Sequence, residues 1–349
     1  MNTSSNTKSR IAWVDLAKGI TILLVIIGHT VSYNKYGSSL RGLIFSFHMP
    51  LFFILSSMTS RSSANREQFV EKIKKSARHL LVPALLTFSL RIVYAISQDH
   101  NLLTSKEYWI NKLYSLIFAS GVDVAYDNRV IPGMGIGWFF FALFIGRTLY
   151  DWIHLTFEEK QVPVIAFLFS VAGIILGKTG FWLPFSMDIA LAIIPLFLIG
   201  DKMKSFHPEV HPVRKLAFSS LIYVVTLVIT FPNWDKWTYM ELACRRYTLY
   251  PLGFICAVAG TFAVIEVCFL LSRLGKLCSP LIFVGEHSLY LLCIHIMDVV
   301  WKDLWFIEGH QFQSAALRTV LDIAIFCIFI LLLFGFRKIK SRKGKVIKT

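Results

Sequence analysis

The 349-residue chain is poor in charge. Asp, Glu, Lys and Arg make up only 16% of it against 55% hydrophobic residues, and mean hydropathy is +0.60. Soluble domains carry about 25% charged and roughly 45–50% apolar residues. The shortage excludes a soluble enzyme, a disordered tail and a coiled coil. Cysteine pairing is also missing. Cys244, Cys256, Cys268, Cys278, Cys293 and Cys327 form no C-x-x-C pair, and most lie in apolar runs. They read as buried small hydrophobes, which excludes a disulfide framework and leaves no metal site expected. No internal repeat is visible, and that weighs against transporters built from repeated halves. No small-residue cleavage site follows the apolar run at 20–28, so the first apolar segment is expected to remain as an uncleaved span.

What the chain has instead is long apolar runs. A membrane-spanning helix needs about 20 mainly apolar residues. Ten segments qualify: 11–31, 43–60, 79–97, 135–153, 162–177, 183–200, 216–231, 250–272, 281–301 and 317–336. The expected fold is all-α, a polytopic integral membrane protein with about ten transmembrane helices. The expected organisation is a cytoplasmic N-terminal segment (1–10), a membrane domain (11–336) and a basic cytoplasmic tail (337–349). The formal charge is +15, and the basic residues sit mostly in short segments between apolar runs. That pattern suits cytoplasmic loops facing anionic lipid rather than nucleic acid. With the N-terminus inside, the inner segments hold 22 Lys and Arg against ten outside, placing both termini in the cytoplasm of a multi-pass cell-membrane protein. The long connection 98–134 carries an expected interfacial helix at 108–118 and a turn at Ile131-Pro132-Gly133.

Charged groups inside hydrocarbon are costly, so each is a functional candidate. The first span holds Asp15, Lys18 and His29. Eleven residues separate Lys18 from His29, which is three turns plus about 20°, so both lie on one helix face. Asp15 shares that face and can pair with Lys18. The face is polar at both ends and apolar between, and the ends are roughly 16 Å apart along the axis. His48 opens the second span at a depth matching His29. Lys75 and Arg78, spaced i and i+3, form a basic lip before the third span and can face one phosphate together. Trp138 begins the fourth span as an interfacial anchor. In the ninth span Ser288 and His295 share a face, and Asp298 is placed to orient His295. Asp188, Glu266 and Asp322 read as structural in-span acids.

At these residues the sequence resembles the membrane acyltransferase type-3 family, and within it the fucose 4-O-acetylase-like subgroup. The stretch Trp13-x-Asp15-x-x-Lys18-Gly19-Ile20, with ten residues between Lys18 and His29, resembles the family's Arg, ten residues, His motif. Phe47-His48-Met49-Pro50-Leu51-Phe52-Phe53 resembles its F-H-M-P-L-F-F signature. Lys75 to Pro83 resembles its R-x-x-R preceding the third span. Trp138-Phe139 resembles its W-F pair, and Ser288 to His295 its S-L-x-x-x-x-x-H segment. Lys18 and Lys75 stand where the family has Arg, keeping the charge but losing the bidentate fork. The family's soluble esterase-like extension has no counterpart in this sequence.

The resemblance implies transfer of an acetyl group from cytoplasmic acetyl-CoA to a hydroxyl of a cell-surface or lipid-linked carbohydrate, with membrane lipid as the other partner. On that expectation Lys18, Lys75 and Arg78 hold the phosphates, and the donor's arm lies along the apolar face. His29 is the general base, and His48 hydrogen-bonds the oxyanion or the acceptor. The alternative is a carrier of a small solute, of the type attached to amino-acid racemases and thought to import serine. A scaffold without chemistry leaves the polar face of the first span unexplained.

Overall fold

The computed structural model describes residues 10–31, 35–126, 128–230, 239–247, 249–301, 307 and 311–346, with backbone only at 35–38, 311 and 339–346. Residues 1–9, and with them Lys8, lie outside the described residues, as do Lys236, Lys302 and Lys348 of the charge count.

The chain folds as helices. In order they are α1 (Ala12–Thr30), α2 (Lys35–Phe45), α3 (His48–Met58), α4 (Arg66–Gln98), α5 (Lys106–Phe118), α6 (Trp138–Thr156), α7 (Val162–Thr179), α8 (Met187–Ala192), α9 (Ile194–Lys202), α10 (Pro212–Thr230), α11 (Leu252–Ser272), α12 (Ser279–Glu286), α13 (Ser288–Ile296) and α14 (Gln311–Val346). One short antiparallel hairpin, β1 (Val124–Tyr126) with β2 (Arg129–Ile131), lies between α5 and α6. The interfacial helix expected at 108–118 is α5. It is capped by Ser105, whose hydroxyl accepts from Tyr108 N at 3.2 Å.

Each of the ten expected segments maps onto helix. Among the described residues, seven helices are long and apolar enough to cross a membrane singly. Two more spans form only when bent pairs are joined: Pro184–Ala192 with Ile194–Ser205 at 55°, and Gly275–Glu286 with Ser288–Val300 at 59°. The first bend has a local cause, since Pro195 lacks an N–H and disfavours helix at the residue before it. The expected fourth span is α6. It is 19 residues long, but Arg147, Asp151 and His154 lower its apolarity, and it buries its faces within the bundle. Among the described residues, seven single helices, or nine spans with the two bent pairs, meet the requirement, and α6 is the expected segment that falls short of it.

Outer helices show the side a membrane protein gives to lipid. Val82, Leu86 and Val93 on α4, Phe218, Leu221 and Val228 on α10, and Leu331 and Leu332 on α14 are all exposed. In water such bands would aggregate; in a bilayer they are the solvated surface. By contrast α1 is central, with Leu16, Ala17, Ile22 and Ile26 fully buried. It crosses α12 at backbone contact. A Cβ on Gly285 would lie 1.7 Å from Asp15 O, and one on Gly19 would lie 2.0 Å from Leu281 O. Only glycine permits that crossing, as small residues do in membrane bundles.

Candidate active site

Helix α1, crossed at backbone contact by α12, also lines a large cavity. Residues Asp15, Lys18, Ile22, Val25 and His29 of α1 face a single space of about 1130 Å³. Their spacing alternates three and four residues, one stripe of a helix. The cavity exceeds the roughly 300–1,000 Å³ of ordinary small-ligand sites, and so has room for two reactants.

Its two ends differ in chemistry. Where α1 begins, the lining holds Arg10, Lys18, His79, Arg147 and Arg337. Asp15 Oδ1 is 3.5 Å from Lys18 Nζ, the expected pair, and Arg10 meets Glu286 at 2.9 Å. Arg147 donates to Ser60 Oγ at 3.2 Å. Apolar groups follow: Ile22, Val25, Phe52, Phe139 and Leu143. Where α1 ends, the lining holds His29, His48, Arg41, Trp138, Tyr239, Glu241 and Cys244, with Ser288 also facing the space. Burial pushes the Cys244 thiol up to about 12, so near neutrality it is a thiol and no nucleophile.

The helices place the two imidazoles by running antiparallel. His29 ends α1 and His48 begins α3, so both reach the same end of the cavity. His48 Nδ1 donates to Ile44 O at 3.1 Å, which leaves Nε2 as its nitrogen for the cavity. The two rings do not meet. Phe45 lies between, its centroid 4.9 Å from His29 and 4.5 Å from His48. Gly28 allows this approach, since a Cβ there would lie 2.5 Å from Phe45 Cε1. The imidazole beside His29 is that of His295, 5.7 Å away between centroids.

His295 is 1% exposed. Its Nδ1 lies 2.8 Å from Asp322 Oδ2 on α14 and 3.5 Å from Asp298 Oδ2. The orienting acid is therefore chiefly Asp322, which the sequence reading took as structural; Asp298 is drawn off by Arg318, whose Nε donates to it at 2.5 Å. Among the described residues, His295, Asp298 and Asp322 form a group whose ligand atoms lie within 4.8 Å of one another. Arg318 supplies positive charge there.

The remaining expected positions divide. Asp15, Lys18, His29, His48, Trp138 and Ser288 share the cavity. Lys75 and Arg78 are exposed on α4 and do not line it; that helix contributes His79 and Leu80 instead. Asp188 is structural, paired with Arg245 at 2.7 Å, both fully desolvated. Two residues were missed. Arg41, counted as a loop charge, is buried, donates to Gly28 O at 3.3 Å and lies over the Phe45 ring at 4.4 Å. Arg147 went unnoticed, although an Arg inside an apolar helix was signal enough.

Comparison with known proteins gives this geometry a family. The chain is 38% identical over 169 residues to nodulation protein NolL of Mesorhizobium japonicum, a match taking in 46% of this chain and 40% of that relative. It thus spans less than half of the relative's length. No solved structure matches. Residues 11–337 match the family model described as an acyltransferase domain, and with nearly all of its length inside that match the chain belongs to the acyltransferase-domain family, as a polytopic membrane member.

Proposed function

We propose that the protein is a membrane O-acetyltransferase of the fucose 4-O-acetylase-like type, moving acetyl from cytoplasmic acetyl-CoA to a hydroxyl of a cell-surface or lipid-linked carbohydrate, in a bacterial plasma membrane. One observation carries the reading: a single cavity runs from a cationic end at Lys18 to an imidazole end at His29. Lys18, Arg10, Arg147 and Arg337 suit the phosphates of the donor at the cytoplasmic mouth. The roughly 16 Å of stripe between Lys18 and His29 suits the donor's extended arm, along Ile22 and Val25. Lys75 and Arg78, exposed nearby on α4, attract the polyanion to the mouth rather than contact it within.

His29 takes the proton of the acceptor hydroxyl as that oxygen attacks the thioester carbonyl. His48 spends its one N–H on Ile44 O, so its other nitrogen accepts from a hydroxyl of the acceptor and orients that reactant. The thiolate leaves with the proton returned by His29. Trp138 and Phe139 wall the reacting end from water.

The test is acetyl transfer from labelled acetyl-CoA to glycan in inside-out vesicles, followed by mass spectrometry of surface glycans with and without the gene. Label in the glycan, lost by about 100-fold or more in His29→Ala, is the expected result. Solute uptake without label would make the protein a carrier and remove the reading.

A further inference from the structure

The His29 ring has a neighbour the mechanism above does not use. His295 is buried on α13, and its Nδ1 is tied to Asp322. Asp322 is itself immobilised, because its second oxygen accepts from Trp301 Nε1 at 3.1 Å. A carboxylate at Nδ1 keeps the proton on that nitrogen, so Nε2 is the acceptor. That Nε2 is buried and has no hydrogen-bond partner. Buried polar atoms without partners are uncommon and call for an explanation.

His29 supplies one. Its ring lies 5.7 Å from that of His295, with the planes tilted by 46°. Rings at that centroid spacing are immediate neighbours, close enough for ring nitrogens turned toward each other to approach hydrogen-bond length. Catalytic hydrogen bonds in ligand-free sites are commonly long and tighten on binding.

We propose that Asp322, acting through His295, positions His29: His29 donates its N–H to His295 Nε2, and its other nitrogen faces the acceptor hydroxyl with a lone pair. This rests on the reading of His29 as the base. Asp322 and His295 are positioning residues that touch neither reactant. In the step itself the acceptor O–H proton passes to His29 while the O–C bond forms. The C–S bond then breaks, and His29 returns the proton to the sulfur. The Asp322 charge, felt through His295, stabilises the imidazolium that exists between those events, as in an Asp–His relay. The other charged or titratable groups around the two rings are His48, Arg41, Asp298 and Arg318. Asp298 is neutralised by Arg318, which leaves Asp322 as the unbalanced carboxylate of the network.

The experiment is acetyl transfer to glycan in native membrane vesicles, per mole of inserted full-length chain, across pH and acetyl-CoA concentration. Asp322→Asn keeps the shape and an oxygen for Trp301, but turns an amide donor toward His295 and reverses its tautomer. The expected result is a kcat lower by about 100-fold, a KM for acetyl-CoA within about threefold, and an acid limb of the pH profile moved to lower pH. Asp322→Glu should recover part of the loss. Where Asp322→Asn fails to insert, His295→Gln carries the same test. Normal turnover with an unmoved pH profile in the inserted variant overturns the proposal. His29→Ala separates the two readings: turnover surviving there removes the base itself, whereas turnover lost there but normal in Asp322→Asn removes only the positioning role.

Discussion

Two of the buried ionic clusters in this membrane domain are built differently. Asp188 and Arg245 form a closed pair. Asp188 accepts from Ile189 N at 3.0 Å and from Arg245 at 2.7 Å, and the guanidinium stacks 3.3 Å over Trp182. Arg245 Nε lacks a partner, but neither residue lines the cavity. The second cluster, His295 with Asp298, Asp322 and Arg318, ends in an unpaired nitrogen beside a ring that does line it. A charge inside hydrocarbon is thus a poor guide to function by itself. What separates the two is whether the network stops at its own partners or reaches a space a substrate can enter.

The largest expected effect tests the closed pair. Asp188→Ala leaves Arg245 as an uncompensated buried cation, which costs about 3–5 kcal/mol. Thermal unfolding in detergent should drop sharply, while acetyl transfer per folded molecule stays near wild type. Replacing both partners by Leu and Met should recover most of the stability. A variant that folds normally but turns over slowly would erase the distinction between the clusters.

The α1–α12 crossing holds the stripe in place, so it ranks next. Gly285→Ala puts a methyl into the Asp15 carbonyl, and overpacking of this kind costs about 1–3 kcal/mol. Because Asp15 begins the stripe, both unfolding temperature and acetyl transfer per folded molecule should fall. Gly335→Ala, with nothing within 4 Å of its Cβ, is the matched control and should change neither.

Arg147 sharpens the comparison at the cationic end. It donates to the neutral Ser60 hydroxyl, and the nearby Asp151 carboxylate is engaged by Lys72 and Ser63, which leaves the guanidinium charge for an anion at the mouth. Charge-assisted hydrogen bonds are worth about 1.5–3 kcal/mol. Arg147→Ala should therefore raise the KM for acetyl-CoA by roughly tenfold or more while kcat moves little. A fall in kcat at unchanged KM would place Arg147 in the bundle's structure instead.

These contrasts also mark what could be read from residues in order. The α1 stripe was legible because helical period alone puts Asp15, Lys18 and His29 on one face, and antiparallel spans put His48 at the depth of His29. The bends were not equally legible. Pro195 announces the first, but the break at His287 carries no proline to announce it. Pairings across long separations were opaque. Asp322 is 27 residues from His295 in an otherwise apolar run, while Asp298, three residues away, was the nearer guess. Arg41 looked like a loop charge because its burial follows from how α2 packs back on the end of α1, where it meets Gly28 O, and not from any periodic trace. Lys75 and Arg78 have motif spacing, yet α4 turns His79, one residue on, to the cavity.

The smallest expected effect concerns Lys18 itself. The resembled family has Arg at this place, and Lys keeps the charge while losing a planar fork. Lys18 is partly exposed to the cavity and has one weak partner, Asp15 Oδ1 at 3.5 Å. Lys18→Arg therefore has room to insert and an anion to meet. It should leave kcat unchanged and lower the KM for acetyl-CoA by no more than about threefold, since a bidentate contact replaces a point charge. Lys18→Gln should raise that KM instead, leaving Asp15 without its cation. The pair of variants distinguishes a phosphate contact, where charge governs KM in both directions, from a lysine that serves only to compensate Asp15. In the second case Lys18→Arg and Lys18→Gln both leave KM alone, and only the double variant Asp15→Asn/Lys18→Gln restores the stability that Lys18→Gln loses.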